Sequence, residues 1–175
     1  VYCEGYLWDM PQTIEAITKA FDRARQAGGK VAFALSDDVC VDRHRADFLD
    51  LVAHGVDMLF ANEEEITMLF GVDSFDDGVA AVRGQCEIAA VTRGVEGSVI
   101  VTADDLIEVE ASHVPHVVDT TGAGDLYAAG FLFGYTSGRP LAQCGRLGSL
   151  AAGAVIGHIG PRPGISLAQM LDLIP

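Results

Sequence analysis

Val117-Val118-Asp119-Thr120-Thr121-Gly122-Ala123-Gly124-Asp125, followed by Leu126-Tyr127-Ala128-Ala129-Gly130-Phe131-Leu132, is the stretch whose reading decides the fold. It reads as a buried strand end, a turn of small residues and the first turns of a helix. Gly122, Ala123 and Gly124 carry almost no side chain, so their backbone N–H groups can approach a ligand closely. At a helix N-terminus, such unpaired donors and the positive end of the macrodipole make an anion site. A carboxylate in the same turn would repel a resting phosphate. Asp125 therefore reads as a general base that takes a proton from a hydroxyl attacking phosphorus. The structural alternative is a capped helix, with Asp119 or Thr121 as N-cap and Asp125 facing the dipole.

Upstream, strands and helices alternate. A strand over 1–7 ends at Trp8-Asp9, and Pro11 opens a helix that Gly28-Gly29 stops. A short apolar strand over 30–35 leads to Ser36-Asp37-Asp38. An amphipathic helix over 43–53 precedes a strand over 57–61 and then Asn62-Glu63-Glu64-Glu65. This order predicts a parallel sheet covered by helices, with ligands beyond the C-terminal strand ends, where the polar clusters fall. Asp9 and Asp37 are candidates for polar contacts there. Helices follow over 62–70 and 75–83, then strands over 87–92 and 98–101, and one over 107–110 that alternates apolar and acidic residues like an exposed antiparallel strand. Downstream of Gly122, helices are predicted over 123–136, 141–157 and 166–173.

The 175 residues suffice for one domain with a substantial core. A net charge of −14 argues against nucleic acid and anionic membranes as partners, and no apolar run reaches the length of a membrane span. Cys3, Cys40, Cys86 and Cys144 are scattered, without metal-ligand or disulfide-framework spacing, which predicts reduced thiols in a cytoplasmic protein. The five histidines show no zinc pattern. Val1 is not an initiator Met, which suggests a fragment or a processed chain.

The run Asp119 to Asp125, followed by small residues at Ala128, Ala129 and Gly130, closely resembles the second signature of the PfkB/ribokinase family of sugar and nucleoside kinases. The resemblance covers essentially the whole chain, but only the C-terminal portion of a family member. It implies a ribokinase-like α/β fold, a mainly parallel sheet flanked by helices and ending in antiparallel strands. Residues 1–175 would be one domain, the nucleotide-binding and catalytic portion, without the N-terminal half and lid. Glu4 to Asp9, Cys144 to Ser149 and Gly157 to Pro163 look like bacterial sugar kinases labelled adenosine kinase.

Other motifs take their meaning from that resemblance. Asn62-Glu63-Glu64-Glu65 alone is an N-cap with an acidic first turn. In the family an Asn-x-x-Glu pattern organises the magnesium and triphosphate region, and Asn62 and Glu65 match it. Thr92-Arg93-Gly94-Val95-Glu96-Gly97 alone is a Gly-rich hairpin turn. It resembles the family's Thr-x-Gly-x-x-Gly turn beside ATP, through Thr92, Gly94 and Gly97. The segment from Ser149 through Ala152 to His158 reads as a tightly packed helix, and by resemblance as the wall of an adenine pocket. The loop Gly160-Pro161-Arg162-Pro163 and Asp119 match a monovalent cation site for K+, with Pro161 where such loops usually carry a small residue.

The function so implied is MgATP-dependent phosphorylation of a sugar or nucleoside hydroxyl. Asp125 would be the base and Gly122, Ala123 and Gly124 the anion hole. Such kinases commonly dimerise through the lid, so the resemblance allows a homodimer of the full-length protein and leaves the oligomeric state open. Two alternatives stand beside this: a hydroxymethylpyrimidine- or pyridoxal-type kinase, and a non-catalytic nucleotide-binding module.

Overall fold

The computed structural model describes residues 1–164, Ser166 and Leu167. The helix predicted over 166–173 lies outside the described residues, apart from its first two positions. The chain forms two compact units: Val1–Val91 with Val101–Asp105, and Thr92–Ile100 with the chain from Leu106 onward.

In the first unit, strands β1 (Tyr2–Glu4), β2 (Ala32–Ala34), β3 (Met58–Asn62) and β4 (Ile88–Thr92) are neighbours in sequence order. β1 and β2 are parallel with Tyr2 opposite Ala32, and β2 and β3 are parallel with Ala32 opposite Met58. Helices make the crossovers that parallel pairing requires: α1 (Pro11–Gln26), α2 (Asp38–Asp50), and α3 (Glu63–Phe70) with α4 (Phe75–Val82). Consecutive residues of β2, β3 and β4 are buried, which is why these strands read as unbroken apolar runs. Trp8, Phe33 and Phe48 form an edge-to-face cluster, with ring centroids 5.2 to 6.1 Å apart. Each such pair adds roughly 0.5–1.5 kcal/mol beyond its buried area. At the strand starts, Lys30 joins Asp57 and Glu87, and Asp57 also accepts the Val31 N–H at 2.7 Å.

Two expectations in this unit are corrected. The predicted first strand stops at Glu4, and Gly5–Asp9 is a 3-10 helix. A Cβ on Gly5 would lie 2.4 Å from the Leu35 carbonyl oxygen, so the chain turns there only because Gly5 has none. Its N–H goes to Ser36 Oγ at 2.8 Å, and the Ser36 hydroxyl donates to Glu4. The helix predicted over 43–53 begins earlier, at Asp38. Asp37 caps it by accepting the Cys40 N–H at 2.7 Å, and a widened π-type turn, Leu51–Gly55, follows it.

In the second unit, β5 (Ser98–Val101) and β6 (Leu106–Val109) are neighbours. Only four residues link them, so they pair antiparallel. The α/β class, the parallel order and the antiparallel close are as the sequence predicts. Helices α5 (Ala123–Thr136) and α6 (Leu141–Val155) pack on each other through glycine. A Cβ on Gly130 would meet the Leu147 carbonyl at 2.5 Å, and one on Gly148 the Tyr127 carbonyl at 2.9 Å. Val117 and Val118 are not the buried strand end that was predicted; they are 54% and 55% exposed and lie in a loop. The Val118 N–H bonds to the Ile156 carbonyl just beyond α6, at 2.8 Å, rather than to a strand.

Candidate functional site

The turn that opens α5 carries no side-chain cap. Its N-cap is Gly122, in the left-handed region at φ 80°, and not Asp119 or Thr121. The loop carrying Pro161 presses so close that a Cβ on Gly122 would lie 2.7 Å from Pro161 Cβ. The Ala123 N–H is used by the Thr120 carbonyl at 3.1 Å. The N–H groups of Gly122, Gly124 and Asp125 have no acceptor among the described residues. Around Gly124 nothing lies within 4 Å of where a Cβ would stand, so that face of the turn is open. Asp125 is exposed in the first turn.

Asp119 holds this turn in shape. One carboxylate oxygen accepts the Thr121 N–H at 2.9 Å and the other the Gly160 N–H at 3.0 Å. Hydrogen bonds from Thr121, then from Gly160, hold its pKa down at about 2. The carboxylate thus ties the loop that contains Pro161 to the turn that contains Gly122.

The other predicted residues of the second unit sit in different settings. Thr92 is half-buried at the end of β4. Gly94 is exposed, at φ 54°, with open space beside it. Gly97 is buried at φ 93°, and a Cβ there would lie 2.1 Å from the Val109 carbonyl oxygen, so this glycine serves backbone packing. In between, Arg93 pairs with Glu96 at 2.9 Å. On α6, Ser149 is buried and Ala152 partly exposed.

Asn62 and Glu65 belong to the first unit and close a reciprocal capping box at the start of α3. Asn62 Oδ1 accepts the Glu65 N–H at 2.8 Å. Glu65 accepts the Asn62 backbone N–H and its side-chain amide, both at 2.9 Å. Glu65 is only 6% exposed. Burial pushes its pKa up to about 7, against the Asn62 backbone hydrogen bond; the charges of Asp37, Glu4 and Asp38 push the same way as burial.

One cluster escaped the sequence reading. Asp9, at the end of the 3-10 helix, accepts from Arg43 at 2.6 Å and pairs with His44 at 2.8 Å, with Cys40 close by. The one signal available was the Cys-x-x-x-His spacing of Cys40 and His44, which shares a helix face only once the helix is known to start at Asp38.

Comparison with known proteins places this arrangement in context. Residues 2–167 match the model of the pfkB family carbohydrate kinases. The structure of an adenosine kinase from Sinorhizobium meliloti is 51% identical, with a TM-score of 0.95 over 98% of this chain and 53% of its own. That of a probable sugar kinase from Rhizobium etli CFN 42 is 48% identical, with a TM-score of 0.96 over 98% of this chain and 52% of its own. An uncharacterized sugar kinase of Archaeoglobus fulgidus is 37% identical over 117 residues, 67% of this chain and 46% of that protein. The chain thus spans about half the length of these relatives. No helix among the described residues is long and apolar enough to cross a membrane.

Proposed function

The chain belongs to the pfkB family of carbohydrate kinases, and on that premise we propose that it transfers the γ-phosphoryl group of ATP to a hydroxyl of a sugar or nucleoside. A nucleoside of the adenosine type is the finer reading, supported by the 51% identity to the adenosine kinase from Sinorhizobium meliloti. Residues 1–175 act as the C-terminal, nucleotide-binding and catalytic portion of such an enzyme. The observation that carries the proposal is the turn at Gly122 without a side-chain cap, with N–H donors that have no acceptor among the described residues, open space at Gly124 and a carboxylate at Asp125.

The residues present suit a nucleotide triphosphate. Donors that have no acceptor among the described residues and an open glycine face suit a phosphate at a helix start. Bound ATP with Mg2+ supplies the phosphoryl group and shields its charge as it transfers. Thr92, Gly94, Gly97, Ser149 and Ala152 would line the nucleotide, and Asn62 and Glu65 would organise the magnesium ion. Asp119 and the loop at Gly160 would flank a K+ ion. Asp125 accepts the proton of the attacking hydroxyl. The N–H groups of Gly122 and Gly124 stabilise the charge that develops on the phosphoryl oxygens, with Ala123 completing the turn.

Titration of MgATP by calorimetry, with Gly124→Asp alongside, tests this reading. Saturable binding that the variant abolishes supports the phosphate turn, because the new carboxylate would occupy the open face. Equal binding by both chains overturns it. Binding without turnover on any sugar or nucleoside would favour a nucleotide-binding module.

A further inference from the structure

Where the short helix Gly5–Asp9 meets α2, three side chains of different donor chemistry converge. The ligand atoms of Asp9, Cys40 and His44 all lie within 4.8 Å of one another. Cys40 and His44 are one turn apart on α2 and share a face. At His44 the backbone leaves helical geometry (φ −113°, ψ 20°), and its ring lies against Phe48 with centroids 5.8 Å apart. Cys40 is buried, and its sulfur has no hydrogen-bond partner among the described residues. Asp9 spends a single oxygen, Oδ1, on both Arg43 and His44, and its Oδ2 has no partner among the described residues.

We propose that Asp9, Cys40 and His44 form a binding site for a divalent transition metal of the zinc type. The ion would be held by one thiolate, one imidazole and one carboxylate, with a fourth position open to water. A thiolate and an imidazole select a borderline-soft ion, whereas magnesium and calcium take oxygen ligands. The site is therefore chemically distinct from one that would serve a nucleotide's magnesium. Ligand atoms around a tetrahedral zinc ion stand roughly 3–4 Å apart, so small side-chain rotations suffice to close this trio.

The charges balance. A Cys40 thiolate, an Asp9 carboxylate and a neutral His44 bring −2 to a +2 ion. In the ion-free site Cys40 is a buried thiol that carries its proton. On binding, Cys40 releases that proton to solvent as the sulfur–metal bond forms. His44 turns its Nε2 lone pair to the ion: the Nε2 proton that faced Asp9 Oδ1 is exchanged through solvent to Nδ1, so the ring stays neutral, and no electron is transferred. Arg43 is 53% exposed along its side chain and free to move to the outer carboxylate edge. The ordinary alternative is a polar clasp, Arg43 and His44 on Asp9, with Cys40 as filler.

Cobalt(II), a spectroscopic stand-in for zinc, separates the two. Titrated into the protein, it should bind one ion per chain, with a near-ultraviolet thiolate-to-cobalt band and visible bands of tetrahedral strength. Zinc should displace it. Cys40→Ala should remove the thiolate band, and His44→Gln should weaken binding about tenfold or more, with circular dichroism unchanged in both. A protein that shows no thiolate band, or a band that survives Cys40→Ala, overturns the site. If Cys40→Ala does not fold, His44→Gln decides, since unaltered cobalt affinity there also overturns it.

Discussion

Helices α3 and α5 both begin beside residues that the family motifs single out, and they begin in opposite ways. At α3 the two capping side chains face each other. Asn62 and Glu65 satisfy each other's donors, and the carboxylate is buried. At α5 a left-handed glycine stands at the cap, no side chain reaches back, and three N–H groups have no acceptor among the described residues. A capping box is worth about 0.5–2 kcal/mol to a helix. The sequence caps α3 in this way and leaves α5 without a side-chain cap, and the proposed phosphate turn rests on that contrast. The acidic groups differ in the same sense: Glu65 is hidden and pushed toward neutrality, while Asp125 stands exposed.

The comparison breaks most sharply at Asp125. Asp125→Asn should lower turnover roughly 10²–10⁴-fold while MgATP affinity, read by calorimetry, stays within a factor of a few. Undiminished turnover would mean that the open turn has no base. The next largest effect lies on the closed side. With its pKa raised to about 7 in the folded chain, Glu65 binds its proton more tightly folded than unfolded. Its contribution to stability is complete below the unfolded value near 4.5 and is lost as pH rises toward 7. Unfolding by denaturant should show stability falling across that window by on the order of 3 kcal/mol, and Glu65→Gln should flatten the fall. A wild-type profile already flat there would contradict the burial of a strained carboxylate. The smallest effect concerns caps. Asn62→Ala should cost about 1 kcal/mol, whereas Thr120→Ala, beside the bare turn, should change stability by no more than about 0.5 kcal/mol. Equal losses at both would erase the contrast.

How much of this could be read from the chain depends on whether the cause is local. Helix α5 was legible over 123–136, because the small-residue turn that opens it is a nearest-neighbour signal. Helix α1 was legible from Pro11 and Gly28 for the same reason. The capping at Asn62 was legible from its spacing to Glu65. The start of α2 was missed because Asp37 looked like part of a polar cluster rather than a cap. Residues 5–9 were misread because Gly5 turns the chain against the Leu35 carbonyl, a contact between distant residues. Val117 and Val118 suggested burial by composition, yet the backbone there bonds to the end of α6. Of the candidate site, the start of a helix at the Gly122 turn was legible. The donor already spent at Ala123, the loop pinned by Asp119 and the meeting of Asp9 with Cys40 and His44 depend on tertiary structure, which no local pattern encodes.

The glycine contacts between α5 and α6 have a mechanical consequence. Gly130 brings backbone against the Leu147 and Gly148 backbone, and Gly148 lies against the Tyr127 carbonyl and its buried ring, so little is left that could absorb a slide. Close-packed interiors of this kind resist compression and transmit displacement. A push on the turn at Gly122 is therefore passed to the α6 surface around Ser149 and Ala152 instead of being dissipated between the helices. The pair behaves as a single stiff lever. A ligand that touched both ends of it would meet a jaw with little play, and would lose little affinity to reorganising it.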